Sequence, residues 1–333
     1  MTTMHKPADL GEQAEQAVRA ALEAATWAPS VHNSQPWTFT VSGDEITVRA
    51  DTARRLRRAD PEGRHLHISC GAALFNLCTA LRRHEYEPVV RLLPDPDKPA
   101  LLAIVRLGER TAPDEHTKTL HGEIRHRRTH RAPFTGMPVP DRLVEALVRQ
   151  AAAEGARLTP VREPRAIRVL AALTEAAQHV QSMDRAFTLE LIRWARPPGS
   201  ARKDGVPADA YPAHSAETGS SGFAQRDYAW RHDWGTRGDP AATSIGVVAL
   251  LTTPGDTAAD WITAGQALQR VLLHASAYGV SAAFHTQALE FPHLRAFLSE
   301  ELCSGAHPQM VMRLGITFDE HGAVRRPVAD VVE

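Results

Sequence analysis

The sequence predicts an α+β fold made twice in tandem, each copy a mostly antiparallel sheet flanked by helices, the two copies forming a pseudo-dimer. Two ordered matches carry this, and a weaker third supports it. GAALFNLCTALRRHEYEPVV (71–90) and GQALQRVLLHASAYGVSAAF (265–284) both open on Gly-x-Ala-Leu and run through a helical pattern into an extended apolar tail, 194 positions apart. Each is followed by a strand with the same ending, IVRLG at 104–108 and VMRLG at 311–315. More weakly, the helix around Leu22 aligns with that around Leu147, 125 positions later. Chance similarity between Ala/Leu-rich helices is common, but helix and then RLG strand in the same order twice favours duplication.

The elements follow in order. Val18, Ala21, Leu22 and Ala25 recur at helical spacing, giving a helix over about 12–27 that Pro29 stops by disfavouring helical geometry at Ala28. A polar loop, APSVHNSQPW (28–37), leads to strands at 38–41 and 45–50 joined by a Ser42-Gly43-Asp44 turn. A second helix spans about 68–84, a strand 101–107, a charged and partly helical segment 109–128, and an amphipathic helix 140–154. The copies are expected at 1–122 and 123–333. The two offsets differ by 69 residues, extra chain that falls in the second copy, and the expected lid-like insertion is about 196–243. It holds a Pro/Gly/Ser-rich run that includes Gly219-Ser220-Ser221-Gly222. Tyr228, Trp230 and Trp234 then crowd together, which a disordered linker seldom does. It reads as an ordered excursion over a site or, about equally, as a surface loop whose aromatics pack locally.

Composition excludes some classes. A formal net charge of -1 offers no general attraction to nucleic acid or an anionic membrane, and Arg54 to Arg58, flanked by Asp51 and Asp60, reads as a solvated turn. No apolar run reaches membrane-spanning length, and the polar start lacks a signal peptide's apolar core. Three cysteines without a CxxC pair fit a reducing cytoplasm. His65 and His67 would point the same way on a strand, but no third ligand completes a metal set. There is no P-loop, dinucleotide-binding glycine turn or nucleophile elbow, and no side chain stands out as acid, base or nucleophile.

Three segments resemble the FMN-dependent nitroreductases. PSVHNSQPW (29–37) resembles their Pro-Ser-x-x-Asn-x-Gln-Pro-Trp loop, RRTHRAPFTGMPVP (127–140) their arginine-rich opening, and RLGITFDEHGAVRRPVADVV (313–332) their closing strand with Arg-Arg-Pro. Ordinary members are homodimers with sites built from both chains. Here the first copy has the loop without the arginine-rich opening. The second has the opening and tail, but Glu154-Gly155 where Pro-Ser should stand. One composite site is therefore complete and its mate degenerate, as in the fused Acg-like branch, which HISCGAALFNL and AHPQMVMRLG also resemble.

The resemblance implies an FMN oxidoreductase, fed by NAD(P)H or another reduced carrier and reducing an electron-poor small molecule. The alternative is an Acg-like protein that sequesters flavin in an occluded site. Arg127 and Thr129, with Arg325 or Arg326, would hold the phosphate, and Arg131 would lie near flavin N1/O2. Ser30 and Asn33 would rim the flavin ring, and Gln35 would fix the loop's backbone. Backbone N–H groups at His285, Thr286 and Gln287 would face N5. His32 carries no assignment, because a loop histidine is ordinarily solvated. The flavin itself would carry the chemistry. The expected assembly is a monomer with an intramolecular pseudo-dimer, able to pair again.

Overall fold

The computed structural model describes residues 11–212, 222–230, 232–236, 242–318 and 322–333. The first half holds α1 (Glu12–Thr26), β1 (Trp37–Ser42), β2 (Glu45–Ala50), α2 (Arg64–Arg83), β3 (Tyr86–Leu92), β4 (Leu101–Arg110) and α3 (Glu115–Glu123). The second holds α4 (Asp141–Ala153), β5 (Arg157–Val161), α5 (Pro164–Met183), α6 (Arg185–Trp194), the short β6 (Ala195–Arg196) and β7 (Val206–Pro207), and then β8 (Val247–Thr253). It ends with α7 (Ala258–Ser276), β9 (Val280–Phe284), α8 (Pro292–Leu302) and β10 (His307–Ile316).

The two halves repeat one topology. The sheet orders are β1-β2-β4-β3 and β5-β8-β10-β9, and every neighbouring pair in both sheets is antiparallel. The repeated helices α2 and α7 pack against each other between the sheets. A Cβ on Gly71 would lie 2.2 Å from the Ile262 carbonyl oxygen, and one on Gly265 would lie 2.0 Å from that of Ile68. These contacts are mates under the 194-residue offset, so the Gly of each Gly-x-Ala-Leu segment is there to let the backbones meet.

Each sheet has its own apolar core, one with Phe39, Ile46, Leu77 and Leu102, the other with Leu147, Leu158, Leu251 and Met312. The chain's end crosses to the first half: the Phe39 N–H donates to the Val331 carbonyl at 2.7 Å and the Glu333 N–H to the Phe39 carbonyl at 2.9 Å.

Two expectations change, and a third lies largely outside the described residues. His65 and His67 lie in the first turn of α2, which begins at Arg64, so they are not on a strand. The connection from β5 to β8 contains α5 and α6 as well as the expected insertion. Asp184 caps α6 by accepting from the Ala186 and Phe187 amides. Of the Gly/Ser run at 219–222, only Gly222 falls within the described residues.

Candidate functional site

The loop after α1 is strained and tightly held. His32, Asn33 and Gln35 have φ of 49°, 54° and 49°, in the left-handed region that costs a non-glycine residue about 1–2 kcal/mol. Side chains compensate: the Gln35 amide donates to Ser30 Oγ at 2.9 Å, and Asn33 Nδ2 donates to the carbonyls of Gly205 at 2.9 Å and Val324 at 3.2 Å. Gln35 Nε2 donates to the Lys203 carbonyl at 2.9 Å, and its Oε1 accepts from the Arg326 amide at 2.8 Å. The loop is thus clamped by the connection before β8 and by the C-terminal tail.

Opposite this loop the segment 127–131 runs beside β9. Thr129 bridges Ala282, and the His130 amide donates to the Ala282 carbonyl at 2.8 Å. That places Arg127, Arg128 and Arg131 together, and the tail adds Arg325. Ser30, Thr129 and Arg131 are shared by two adjoining cavities. The smaller, of about 450 Å³ including its open mouth, is lined by Asn33, Arg127, Arg128 and Arg325. The larger, of about 770 Å³ on the same basis, has Ile68, Leu268, Phe284 and Met310 on its apolar walls.

Among the described residues that line the arginine end there is no carboxylate. Arg127 is only 4% exposed, and burial first, then Arg325, Arg128 and Arg131, hold its guanidinium well below its ordinary pKa. Arg325 is pushed down to about 9 by burial and then by Arg128 and Arg131. The Nε atoms of both Arg127 and Arg325 are buried without a partner. Unpartnered donors and mutually repelling buried cations are costly unless an anion joins them. The arrangement suits a flat ring in the apolar slot with an anionic group at the arginine end.

The expected site residues divide. Ser30, Thr129, Arg131 and Thr286 line the larger cavity; Asn33, Arg127 and Arg325 line the smaller, with Ser30, Thr129 and Arg131 shared. Three do not line either. Gln35 is buried as a brace, and Arg326 turns to the Gln35 and Asp330 carbonyls. Gln287 binds the Ala224 carbonyl at 3.1 Å and Gln178 at 3.3 Å. Neighbouring residues on an extended tail point to opposite sides, so only one of Arg325 and Arg326 enters.

Other residues enter that sequence reasoning missed. His32 is buried, not solvated, with Nδ1 2.7 Å from the Tyr228 hydroxyl. His65, Gln225, Arg226 and Tyr228 also line the larger cavity. Arg226 forms an ion pair with Glu290, whose carboxylate also accepts from Gln181 Nε2 at 2.7 Å and Thr286 Oγ1 at 3.2 Å. Burial raises the Glu290 pKa, with Arg226 opposing it. His285 is fixed with Nδ1 toward the Ala224 carbonyl at 3.2 Å and Nε2 accepting from Arg313 Nε at 2.7 Å. The crowded aromatics of the insertion were the one available signal for its entry into the site.

At the pseudo-equivalent end of α4, Glu154 stands in the place of Pro29. It pairs with Arg270 at 2.8 Å, and Arg270 Nε also donates to Gln150 at 2.7 Å. A local carboxylate thus meets the cation on that side. Among the described residues no His/Cys/Asp/Glu group could hold a metal, and no helix is long and apolar enough to cross a membrane.

No family model matches the chain. Curated relatives do. The chain is 32% identical over 301 residues to a Mycobacterium tuberculosis protein with the provisional name NAD(P)H nitroreductase, covering 90% of this chain and 84% of the relative. It is 25% identical over 318 residues to that organism's Acg, provisionally named in the same way, covering 94% of each. Among solved structures, a provisionally named nitroreductase from Anabaena variabilis aligns with a TM-score of 0.43 at 12% identity, over 90% of this chain and 73% of that one. The FMN-dependent nitroreductase NfnB of Mycobacterium smegmatis, solved with NADPH, aligns with a TM-score of 0.39 at 17% identity, over 65% of this chain and 97% of that one. On the extent and identity of the sequence relatives, the chain belongs to the NAD(P)H nitroreductase family.

Proposed function

We propose that the chain binds one FMN and is an oxidoreductase that takes electrons from NAD(P)H or another reduced carrier and passes them to an electron-poor small molecule. The carrying observation is the pair Arg127 and Arg325, each with a buried Nε–H that has no partner, at an end of an apolar slot where no carboxylate stands among the described lining residues. The phosphate of FMN supplies the missing anion. Arg127 and Arg325 would donate to it through their unpartnered Nε–H groups, with Thr129 and Asn33 beside them. Arg131 lines both cavities and would put positive charge along one edge of the ring, favouring the reduced anion. Ile68, Leu268 and Phe284 would exclude water from the ring. The bound flavin supplies the hydride chemistry, and the residues around it supply position and charge.

On this reading the copies divide at 122/123, and the segment 196–243 is the lid. Its Val206 and Pro207 line the arginine end, and Arg226 and Tyr228 line the ring end. A single chain then makes the pseudo-dimeric site without a second subunit. Free Cys70, Cys78 and Cys303 suit a reducing cytoplasm.

The same wall supports a second reading, in which the lid excludes nicotinamide and the protein sequesters flavin. The visible spectrum of purified protein, followed anaerobically after NADPH is added, separates the two. A flavin band that bleaches is expected for the reductase. A band that persists, and bleaches once 196–243 is deleted, is expected for the occluded form. Protein that neither carries flavin nor takes up added FMN would refute both.

A further inference from the structure

The lining of the larger cavity is chemically uneven. Ile68, Leu268 and Phe284 are apolar, whereas the segment after residue 222 contributes Arg226 and Tyr228. The Tyr228 hydroxyl meets His32 Nδ1 at 2.7 Å, and the two rings pack edge-on at 5.6 Å and 77°. The Arg131 guanidinium lies 5.9 Å from the centre of the Tyr228 ring. His32 reaches this position by adopting a positive φ of 49°. Burial first, then Arg226 and Arg131, hold its pKa well below the ordinary value, so the ring is neutral at pH 7. A neutral imidazole offers one N–H and one lone pair. Its Nδ1 faces the tyrosine, and no described residue bonds its Nε2. His32 and Tyr228 share this lining with the apolar residues, but neither lines the arginine end, so binding an anion there does not account for the pair.

We propose that Tyr228 is the proton donor to the acceptor and that His32 positions and reprotonates it, for acceptors of the quinone or conjugated-carbonyl class. This rests on the flavin reading above. Such an acceptor gains two electrons and one hydrogen, as a hydride from the reduced flavin. Its oxygen then carries the negative charge and takes the second hydrogen as a proton, breaking the Tyr228 O–H bond. The phenolate recovers a proton from His32 Nδ1–H while Nε2 takes one from a solvent water, whose hydroxide is neutralised by the bulk buffer. The imidazole changes tautomer and stays neutral, and two electrons and two protons have reached the acceptor.

The test uses purified flavoprotein, reduced anaerobically with dithionite and mixed with menadione or with ferricyanide, which takes electrons without protons. Tyr228→Phe is expected to slow reoxidation by menadione about 100-fold, the lower range for losing a positioned acid. It should also abolish the solvent isotope effect and leave flavin content and the ferricyanide rate at wild-type values. His32→Gln is expected to give a smaller loss confined to menadione. Nitrogen-15 NMR of the oxidised protein should show His32 as a single neutral tautomer, mixed in Tyr228→Phe. A Tyr228→Phe protein with the wild-type menadione rate and isotope effect overturns the proposal. So does one slowed equally with both oxidants, because a disturbed site slows both. Wild-type protein without flavin would instead refute the cofactor assignment, so the two failures are distinguishable.

Discussion

Arg127→Met separates binding from stability at the arginine end, because the two should move in opposite directions. Arg127 is 4% exposed, its Nε is unpartnered, and among the described residues its guanidinium makes only a weak 3.5 Å bond to Thr129 Oγ1. Its surroundings are cationic: Arg325, Arg128 and Arg131 all depress its pKa after burial has done so. Methionine keeps the stem's packing and removes the charge. A lost charge-assisted bond to phosphate is worth about 1.5–3 kcal/mol, so FMN affinity should fall roughly 10- to 150-fold. The flavin-free protein should gain stability, since a desolvated, repelled cation has been removed. Fluorescence titration gives the first quantity and calorimetry of flavin-free protein the second. Unchanged FMN affinity, or a flavin-free protein that melts lower, would show that Arg127 is a structural cation and not an anion ligand.

Three further outcomes follow from packing and charge. Gly265→Ala puts a Cβ 2.0 Å from the Ile68 carbonyl oxygen, so α2 and α7 must part. Despite alanine's advantage of about 1 kcal/mol in a helix, a net loss of about 2 kcal/mol is expected in the urea midpoint. Glu290→Ala strands Arg226, whose side chain is 8% exposed, at a cost of about 3 kcal/mol. Faster hydrogen exchange and proteolysis across 222–230 are expected to accompany it, and a wild-type exchange pattern would count against the Arg226–Glu290 pair holding that segment in place. Asp256 accepts from Arg295 Nη1 at 2.6 Å and Trp261 Nε1 at 2.6 Å. Burial pushes its pKa up, but these bonds and Gln309 outweigh that and hold it well below the usual carboxylate range. Because its folded pKa is depressed, its contribution is present above the unfolded value of about 3.9 and lost as pH falls. With the side chain 28% exposed, Asp256→Asn should cost about 2 kcal/mol at pH 7, less than a fully buried pair, and the gap should narrow at pH 3.

Local pattern made the repeat legible. The two Gly-x-Ala-Leu segments align at one offset, and the structure puts Gly71 on Ile262 and Gly265 on Ile68, contacts related by that offset. Apolar alternation and turn residues likewise marked β1 and β2 to within a residue or so. What escaped were groups that meet only after folding. Glu290 and Arg226 lie 64 positions apart with no periodicity linking them. His32 looked like a solvated loop residue because its burial comes from Tyr228, 196 positions away. The choice between Arg325 and Arg326 depends on which side of the tail faces Asn33.

The last residues of the chain carry a consequence for its synthesis. Val331 is 1% exposed and belongs to the first half's core, and Phe39 bonds to the backbone on both sides of Val332. The first half therefore leaves the ribosome with its β1 edge and part of its core still bare. At about 5–20 residues per second, the remaining chain takes roughly 10–40 s to appear. For that time the nascent half carries an unpaired strand edge, exposed to aggregation and to chaperones. Vectorial, half-by-half maturation is closed to this topology, and truncating even the final few residues should trap the N-terminal half short of its native state.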